Sequence, residues 1–128
     1  MPAKKTTSST ACPCGSAIPL SKCCEPYIRG TAIAPTAEAL MRSRYTAYTM
    51  RDERYLLDTW HSSTRPEHIE LDSTMQWIRL KIVNSERDLV EFNTTYKVNG
   101  KAYKSHNHSR FVYENQRWFY LDDIVESN

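Results

Sequence analysis

The stretch Leu89–Tyr113, LVEFNTTYKVNGKAYKSHNHSRFVY, decides the fold of this chain. Asn99–Gly100 stands between two runs of alternating polar and apolar residues, and an Asn-Gly pair in that setting strongly favours a two-residue β-hairpin turn. If Val98 faces Lys101 across the turn, the register of every further pair along the two strands is fixed. The stretch therefore predicts an antiparallel hairpin with strands at Leu89–Val98 and Lys101–Tyr113.

This register gives the hairpin two chemically different faces. One face is mainly aromatic and apolar and is expected to pack on helices; it carries Val90, Phe92, Tyr96, Tyr103, Phe111 and Tyr113, together with the polar residues Asn107 and Ser109. The other face is polar and carries Glu91, Asn93, Lys97, Lys104, His106, His108 and Arg110. His106 and His108 could share a metal ion, but the strand offers no third ligand unless Glu91 joins them, so we predict no metal site there.

Helix signals come before the hairpin, and strand signals lie on both sides of it. Thr36 is a suitable N-cap for a helix over AEALMRSRYTAYTM (37–50), and a second short helix is expected at about Glu53–Trp60. Further strands at Trp77–Val83 and Arg117–Val125 would extend the hairpin into a meandering sheet. Helices followed by an antiparallel sheet predict an α+β domain.

All four cysteines lie in one short segment, CPCGSAIPLSKCC (12–24), which precedes an expected linker at 25–35. Four thiolates at this spacing suit one closed, structural zinc site, and the metal would supply folding free energy to a segment too short to fold by burial. The predicted ligands are Cys12, Cys14, Cys23 and Cys24. Two disulfides or four free thiols are the alternatives. Because no signal peptide or membrane span is apparent, we expect a cytoplasmic protein with reduced thiols.

Composition and charge narrow the class of protein. A chain of 128 residues suits one domain with a small appendage, and a net charge of only +2 argues against a dedicated nucleic-acid binder.

One charged residue stands at an unexpected position, because Arg44 falls on the apolar stripe of the first helix. Either a carboxylate such as Asp122 or Asp123 pairs with it, or its stem extends past the apolar surface to water.

The cysteine segment resembles a known zinc motif. CPCGS followed by KCC is similar to the SEC-C motif, a small zinc-binding tail of the SecA preprotein translocase, and Ala17 stands where that motif usually has glycine. The matching residues are Cys12, Pro13, Cys14, Gly15, Ser16, Lys22, Cys23 and Cys24. In the motif the four cysteine-type positions bind zinc, and the tail contacts partner proteins.

The rest of the chain resembles the YchJ family, through LMRSRYTAY (40–48), TWH (59–61), HNHSRF (106–111) and RWFYLDD (117–123). The resemblance implies a flexible N-terminus (1–11), a SEC-C zinc motif (12–30) and a domain similar to nuclear transport factor 2 (31–128). That fold is a curved antiparallel sheet with helices in its concavity and a conical cavity. Many members have His-Glu where this chain has His106–Asn107, and the family often carries a second, C-terminal SEC-C motif that is not found before Asn128.

Two functional hypotheses follow. In the first, the zinc motif docks a protein partner or ribosomal RNA, steered by the basic residues Lys22 and Arg29. In the second, the cavity binds a small molecule or supports chemistry like that of an isomerase or dehydratase; the loss of a possible general base at Asn107 favours a non-enzymatic protein. The candidate pocket residues are Tyr45, Tyr48, Trp60, His61, Tyr103, Asn107, Ser109 and Asp122. The polar sheet face could also pair two copies in a homodimer.

Overall fold

The computed structural model describes residues 10–124. Most of the predicted flexible segment 1–11, and Val125 at the expected end of the last strand, lie outside the described residues. The described elements are a 3₁₀ turn (Leu20–Lys22), helices α1 (Glu25–Arg29), α2 (Ala37–Met50) and α3 (Glu53–Asp58), and strands β1 (Met75–Ser85), β2 (Leu89–Val98), β3 (Lys101–Glu114) and β4 (Arg117–Asp123). The predicted α+β class is confirmed.

The strands form an antiparallel sheet in the order β1-β2-β3-β4. Asn99 and Gly100 both have positive φ angles, 52° and 83°, as the tightest hairpin turns require. The predicted hairpin register is confirmed, with Tyr96 opposite Tyr103 along β2 and β3. Irregularities in the register at two places in β1 and one in β3 bend and twist the sheet, which gives it a concave side.

Helix α2 packs on this concave side of the sheet. Thr36 caps the helix, because its side-chain oxygen accepts a hydrogen bond of 3.0 Å from the backbone N–H of Ala39. Leu40 and Tyr45 of the helix share one hydrophobic core with Phe92 and other residues of the sheet. The helix and the concave sheet face thus form the two walls between which a cavity can lie.

Two boundary predictions need correction. Part of the expected linker 25–35 is helix α1, which begins where the carbonyl of Cys24 accepts hydrogen bonds from Tyr27 and Ile28 and ends at Gly30, whose φ angle is 84°. Tyr27 and Ile28 form this turn because they pack against the core.

The second correction concerns the end of α3, which stops at Asp58 and not at Trp60. The chain leaves the helix there because Tyr120 of β4 donates a backbone hydrogen bond to Thr59, and its carbonyl accepts one from His61, both at 2.8 Å. Within the described residues, no helix has the length and apolar character to cross a lipid bilayer.

Candidate metal centre and cavity

The sulfur atoms of the four cysteines converge on one point. The Sγ atoms of Cys14 and Cys23 are 3.7 Å apart, those of Cys23 and Cys24 are 4.0 Å apart, and all four lie within 4.8 Å of one another. A tetrahedral zinc ion with Zn–S bonds of about 2.3 Å would hold its sulfurs about 3.8 Å apart. The cysteines are free thiols, so the donor set and spacing fit one tetrahedral ion and not two disulfides.

Tight turns bring the first pair of cysteines towards the second pair. Gly15 and Ala17 both have positive φ angles, 86° and 70°, and the N–H of Gly15 closes the turn on the carbonyl of Cys12 at 3.2 Å. A Cβ at position 15 would lie 3.2 Å from the carbonyl oxygen of Leu80, so this turn also seats the motif close to β1. Glycine at this position therefore satisfies both the turn and the close approach to the sheet.

The cysteine motif is built into the core of the domain. Cys12, Cys14 and Cys24 are 4%, 0% and 1% exposed and belong to the same hydrophobic core as α2 and the sheet. Arg42 of α2 donates a hydrogen bond of 2.9 Å to the carbonyl of Cys14, and its guanidinium lies 3.8 Å from the sulfur of that residue. An ion held here would fasten the N-terminal segment to α2.

The thiols influence one another strongly. Hydrogen bonds from Cys12 and Cys24 lower the pKa of the Cys14 thiol, whereas contacts with Cys12 and Cys14 raise the pKa of Cys24. Burial raises the pKa of Cys23. Negative charge therefore concentrates on Cys14, beside the Arg42 guanidinium, and a cation at the centre of the cluster would stabilise thiolates at all four positions.

A cavity of about 360 Å³ lies between α2 and the concave face of the sheet. Its walls are largely aromatic and apolar, with a small set of polar side chains, which is the usual character of a small-molecule site. The lining residues are Met41, Arg44, Tyr45, Tyr48, Met75, Trp77, Phe92, Thr94, Tyr96, Ser105, Asn107, Ser109, Tyr120 and Asp123.

Arg44 is the buried charge of this cavity, with 3% of its surface exposed. Its Nη1 atom donates hydrogen bonds to the carbonyl of Leu56 at 2.8 Å and to the hydroxyl of Thr59 at 2.7 Å. Its guanidinium also lies over the rings of Tyr120, at 4.5 Å, and Trp60, at 5.2 Å. Burial lowers the pKa of Arg44, but an arginine side chain keeps its proton at neutral pH.

Both predictions for Arg44 are wrong. Burial excludes the idea that its stem reaches past the surface to water, and no ion pair among the described residues includes this arginine. Asp122 forms two hydrogen bonds of 2.7 and 2.8 Å with Arg110, while Asp123 accepts from Ser109 at 2.7 Å and from the Tyr120 hydroxyl at 2.9 Å. The two carboxylates are hydrogen-bonded to other groups, so neutral oxygens and aromatic rings make the direct contacts of the guanidinium, while Asp123 lines the same cavity and acts on it only electrostatically.

The structure brings half of the predicted pocket residues into the cavity. Those that line it are Tyr45, Tyr48, Asn107 and Ser109. Trp60 lies outside it, packed edge-on against Tyr120 with their ring centroids 4.9 Å apart. His61 pairs with Glu114.

The last two predicted pocket residues also lie elsewhere. Tyr103 stacks on Tyr96 near the hairpin turn, with 5.6 Å between the ring centroids, and Asp122 pairs with Arg110.

Arg44 and Trp77 are among the cavity residues that were not predicted from the sequence. The sequence pattern placed Arg44 correctly on the apolar stripe of α2 but did not assign it to the cavity. It missed Trp77, because the register shift between Trp77 and Arg79 breaks the simple alternation of β1.

Comparison with known proteins identifies the family. A family model described as the middle, NTF2-like domain of YchJ matches residues 36–123. The chain belongs to the YchJ family. Among its YchJ-family relatives, a UPF0225 protein of Chromobacterium violaceum is 47% identical over 132 residues, covering 94% of this chain and 97% of the relative. A UPF0225 protein of Streptomyces coelicolor is 46% identical over 115 residues, covering 87% and 92%.

Two solved structures share the fold of this YchJ-family chain. A SEC-C motif containing protein from Rhodopseudomonas palustris superposes with a TM-score of 0.81 at 26% identity, covering 92% of this chain and all of that protein (100%). A SEC-C motif containing protein from Psychrobacter arcticus gives a TM-score of 0.71 at 23% identity, covering 96% and 86%, and shows the fold alone. The SEC-C neighbour and the cysteine cluster together suggest that this member of the YchJ family binds a metal ion.

Proposed function

We propose that this YchJ-family chain is a ligand-binding protein whose cavity holds a small organic anion with a flat or aromatic body. The observation that carries the proposal is the Arg44 guanidinium, which is buried in the cavity wall and takes part in no ion pair of residues 10–124. A buried charge without a counter-ion costs several kcal/mol, roughly, unless another group compensates it. An anionic ligand would supply that compensation when it enters.

The hydrogen bonds of Arg44 leave room for such a ligand. Both of them start from Nη1, and both go to neutral oxygens, on Leu56 and Thr59. A guanidinium carries five N–H donors in a planar fork, which suits a carboxylate or phosphate with two oxygens in one plane. Arg44 therefore has donors beyond those that hold it in place.

Apart from the Asp123 carboxylate, which accepts hydrogen bonds from Ser109 and Tyr120, the other cavity residues fit a ligand with one polar end. The rings of Tyr45, Trp77 and Tyr96 offer apolar walls, and Asn107 offers an amide that is already oriented by Ser105, with its nitrogen 3.2 Å from the serine hydroxyl. The cavity volume of about 360 Å³ lies at the lower end of the roughly 300–1,000 Å³ usual for ligand pockets. This size suits a compact organic acid better than a dinucleotide.

Zn²⁺ is the ion we propose for the cysteine cluster, held by Cys12, Cys14, Cys23 and Cys24. Four thiolate ligands leave no open position for substrate, so the ion would be structural. Its contribution is to hold the motif against α2, the helix that supplies Arg44 and Tyr45 to the cavity. Metal analysis of protein purified without added metal tests the identity of the ion.

Anion binding can be tested with benzoate and its neutral analogue benzamide. We expect titration calorimetry and amide chemical shifts to show benzoate bound at the cavity and at least about tenfold tighter than benzamide, since hydrogen bonds to charged groups contribute roughly 1.5–3 kcal/mol. Arg44→Gln should abolish the preference, and Arg54→Gln, an exposed arginine on α3, should keep it. Equal binding of both probes, or shift changes away from the cavity, would contradict the proposal.

Arg44→Gln could unfold the protein, so a second variant is needed. Asn107→Glu places a carboxylate on the same cavity wall and should compensate Arg44 from within. We expect this variant to stay folded and to lose benzoate binding, whereas Asn107→Gln should retain it. Full benzoate affinity in folded Asn107→Glu would count against Arg44 as the anion-binding group.

Docking of a protein partner or ribosomal RNA through the metal motif stays a prediction, as does pairing of two copies across the sheet. Three of the four sulfurs lie in the core, so a partner would contact the exposed backbone turns and side chains such as Lys22 and not the ligands themselves. Pull-down at two salt concentrations tests the docking hypothesis.

A further inference from the structure

A second group of metal-ligand side chains lies on the outer face of the sheet, away from the cysteines. His106 and His108 are two residues apart on β3, and Glu91 lies directly opposite His108 on β2. Because side chains alternate along a strand, all three residues point to the same side, opposite to Asn107 and Ser109 in the cavity. The hairpin register thus supplies the third ligand that β3 alone does not offer.

The two imidazoles converge on one carboxylate. Nε2 of His106 is 2.6 Å from one oxygen of Glu91, and Nε2 of His108 is 3.6 Å from the other. The ligand atoms of all three residues lie within 4.8 Å of one another, and the two rings meet edge to face with centroids 5.1 Å apart. Three ligand atoms therefore surround a common point.

The chain contains a useful comparison in His61 and Glu114, which also form a histidine–carboxylate pair. That pair brings one imidazole to one carboxylate, which is an ordinary hydrogen-bonded arrangement. At Glu91 the same carboxylate faces two imidazoles, each through a different oxygen. A hydrogen-bonded pair needs only one histidine, whereas a metal site gains from both.

The surroundings of the cluster are mixed in charge, because the exposed Lys104 lies two residues from His106 on the same strand face and the exposed Lys81 of β1 lies opposite Asn93. The neighbouring Arg110 on β3 is held in a two-bond pair with Asp122, which neutralises its charge beside the cluster. Asn93, opposite His106 on β2, is neutral. The side chains of Glu91 and His108 are only 25% and 22% exposed, so the strands already fix much of the ligand geometry, while His106 at 49% leaves access from solvent.

We propose that Glu91, His106 and His108 form a second metal site, which takes a divalent transition-metal ion of the zinc type and leaves one or more positions open to water. Imidazole nitrogens suit Zn²⁺, Co²⁺ and Cu²⁺, and two histidines with one carboxylate are a known three-ligand set with an open side. The ligand chemistry differs from that of the thiolate cluster, so the two sites can be told apart by spectroscopy.

The test is metal titration of the full chain with its cysteine site already loaded with Zn²⁺. We expect calorimetry with Zn²⁺ to show one further ion per chain, and Co²⁺ added to the loaded protein to give the weak bands of a nitrogen and oxygen site without sulfur-to-cobalt charge transfer. His106→Ala, His108→Ala and Glu91→Ala should each weaken this second binding by at least about tenfold, since even indirect partners of metal ligands contribute about 10–100-fold.

His61→Ala and Glu114→Ala are the matched controls, because they remove the other histidine–carboxylate pair, and they should bind the second ion as the wild type does. All five positions lie on the surface or half-buried, and circular dichroism would verify the fold of each variant. Absence of a second bound ion in the wild type, or unchanged binding in Glu91→Ala, would overturn the three-ligand site.

Discussion

Removing the metal from the cysteine cluster is expected to destabilise the whole domain and not only its N-terminal segment. Cys14 and Cys24 share the hydrophobic core with Leu40 and Phe92, so the motif is part of the packing that holds α2 on the sheet. Without a cation, four sulfurs within 4.8 Å of one another must share protons inside the core or repel as thiolates. Outward movement of the motif would relieve this repulsion and uncover α2.

The size of the effect follows from what a structural ion contributes. Zinc binding supplies roughly 10–16 kcal/mol of free energy in finger peptides, which have little structure without it. Here the Arg42 hydrogen bond and core packing already hold part of the ligand geometry, so we expect a smaller contribution of about 3–6 kcal/mol. In a domain of this size that corresponds to a fall in Tm of about 10–25 °C, a large share of its total stability.

Thermal unfolding followed by circular dichroism measures this fall before chelation, after chelation and after Zn²⁺ is returned. Glu91→Ala serves as a control, because it lacks the proposed second site and should show the same fall. Cys14→Ser, which removes a fully buried proposed ligand, should resemble the chelated protein. A change in Tm below about 3 °C after verified metal removal would refute the reasoning, since it would mean less than about 1 kcal/mol.

Three further predictions concern the scaffold. Leu56→Ala empties a fully buried position and should lower the free energy of unfolding in urea by about 2–5 kcal/mol; a loss below about 1 kcal/mol would contradict the packing described. Thr36→Ala removes the α2 cap and should cost about 1 kcal/mol in the same assay, while Thr31→Ala, which removes only an exposed hydrogen bond to the carbonyl of Pro26, should cost less. Burial raises the pKa of Tyr45 to about 12, above the roughly 10 of an unfolded tyrosine. The unfolded chain therefore loses this proton first, and the free energy of unfolding should fall from pH 10 to about 12, less steeply in Tyr45→Phe; identical slopes would contradict this.

Local signals in the sequence predicted the hairpin and the cysteine cluster well. The Asn99–Gly100 turn fixes the pairing of β2 with β3, because the side-chain period of two leaves no freedom once the turn is set. Cysteine spacing in one short segment likewise limits the sulfurs to one small volume. These features depend on neighbours in sequence, and the structure agrees with them.

Features that depend on tertiary packing could not be predicted in this way. The orientation of Trp77 depends on a bulge that the residue pattern does not mark. The environment of Arg44 depends on where α3 ends, since Leu56 and Thr59 supply its acceptors. Helix α1 forms in an expected linker because the cysteine motif and the core hold Tyr27 and Ile28 in place.

Strand β3 connects the two proposed binding sites, because its alternating side chains serve opposite faces of the same sheet. His106 and His108 face the outer cluster, and Asn107 between them faces the cavity that contains Arg44. A glutamate at position 107 would stand on the same cavity wall and could compensate the arginine. In this chain Asn107 is neutral, so the residue at position 107 does not compensate the charge of Arg44. An amide at position 107 is consistent with the proposed anion-binding cavity and supplies no general base, which leaves Asp123 as the carboxylate among the described lining residues.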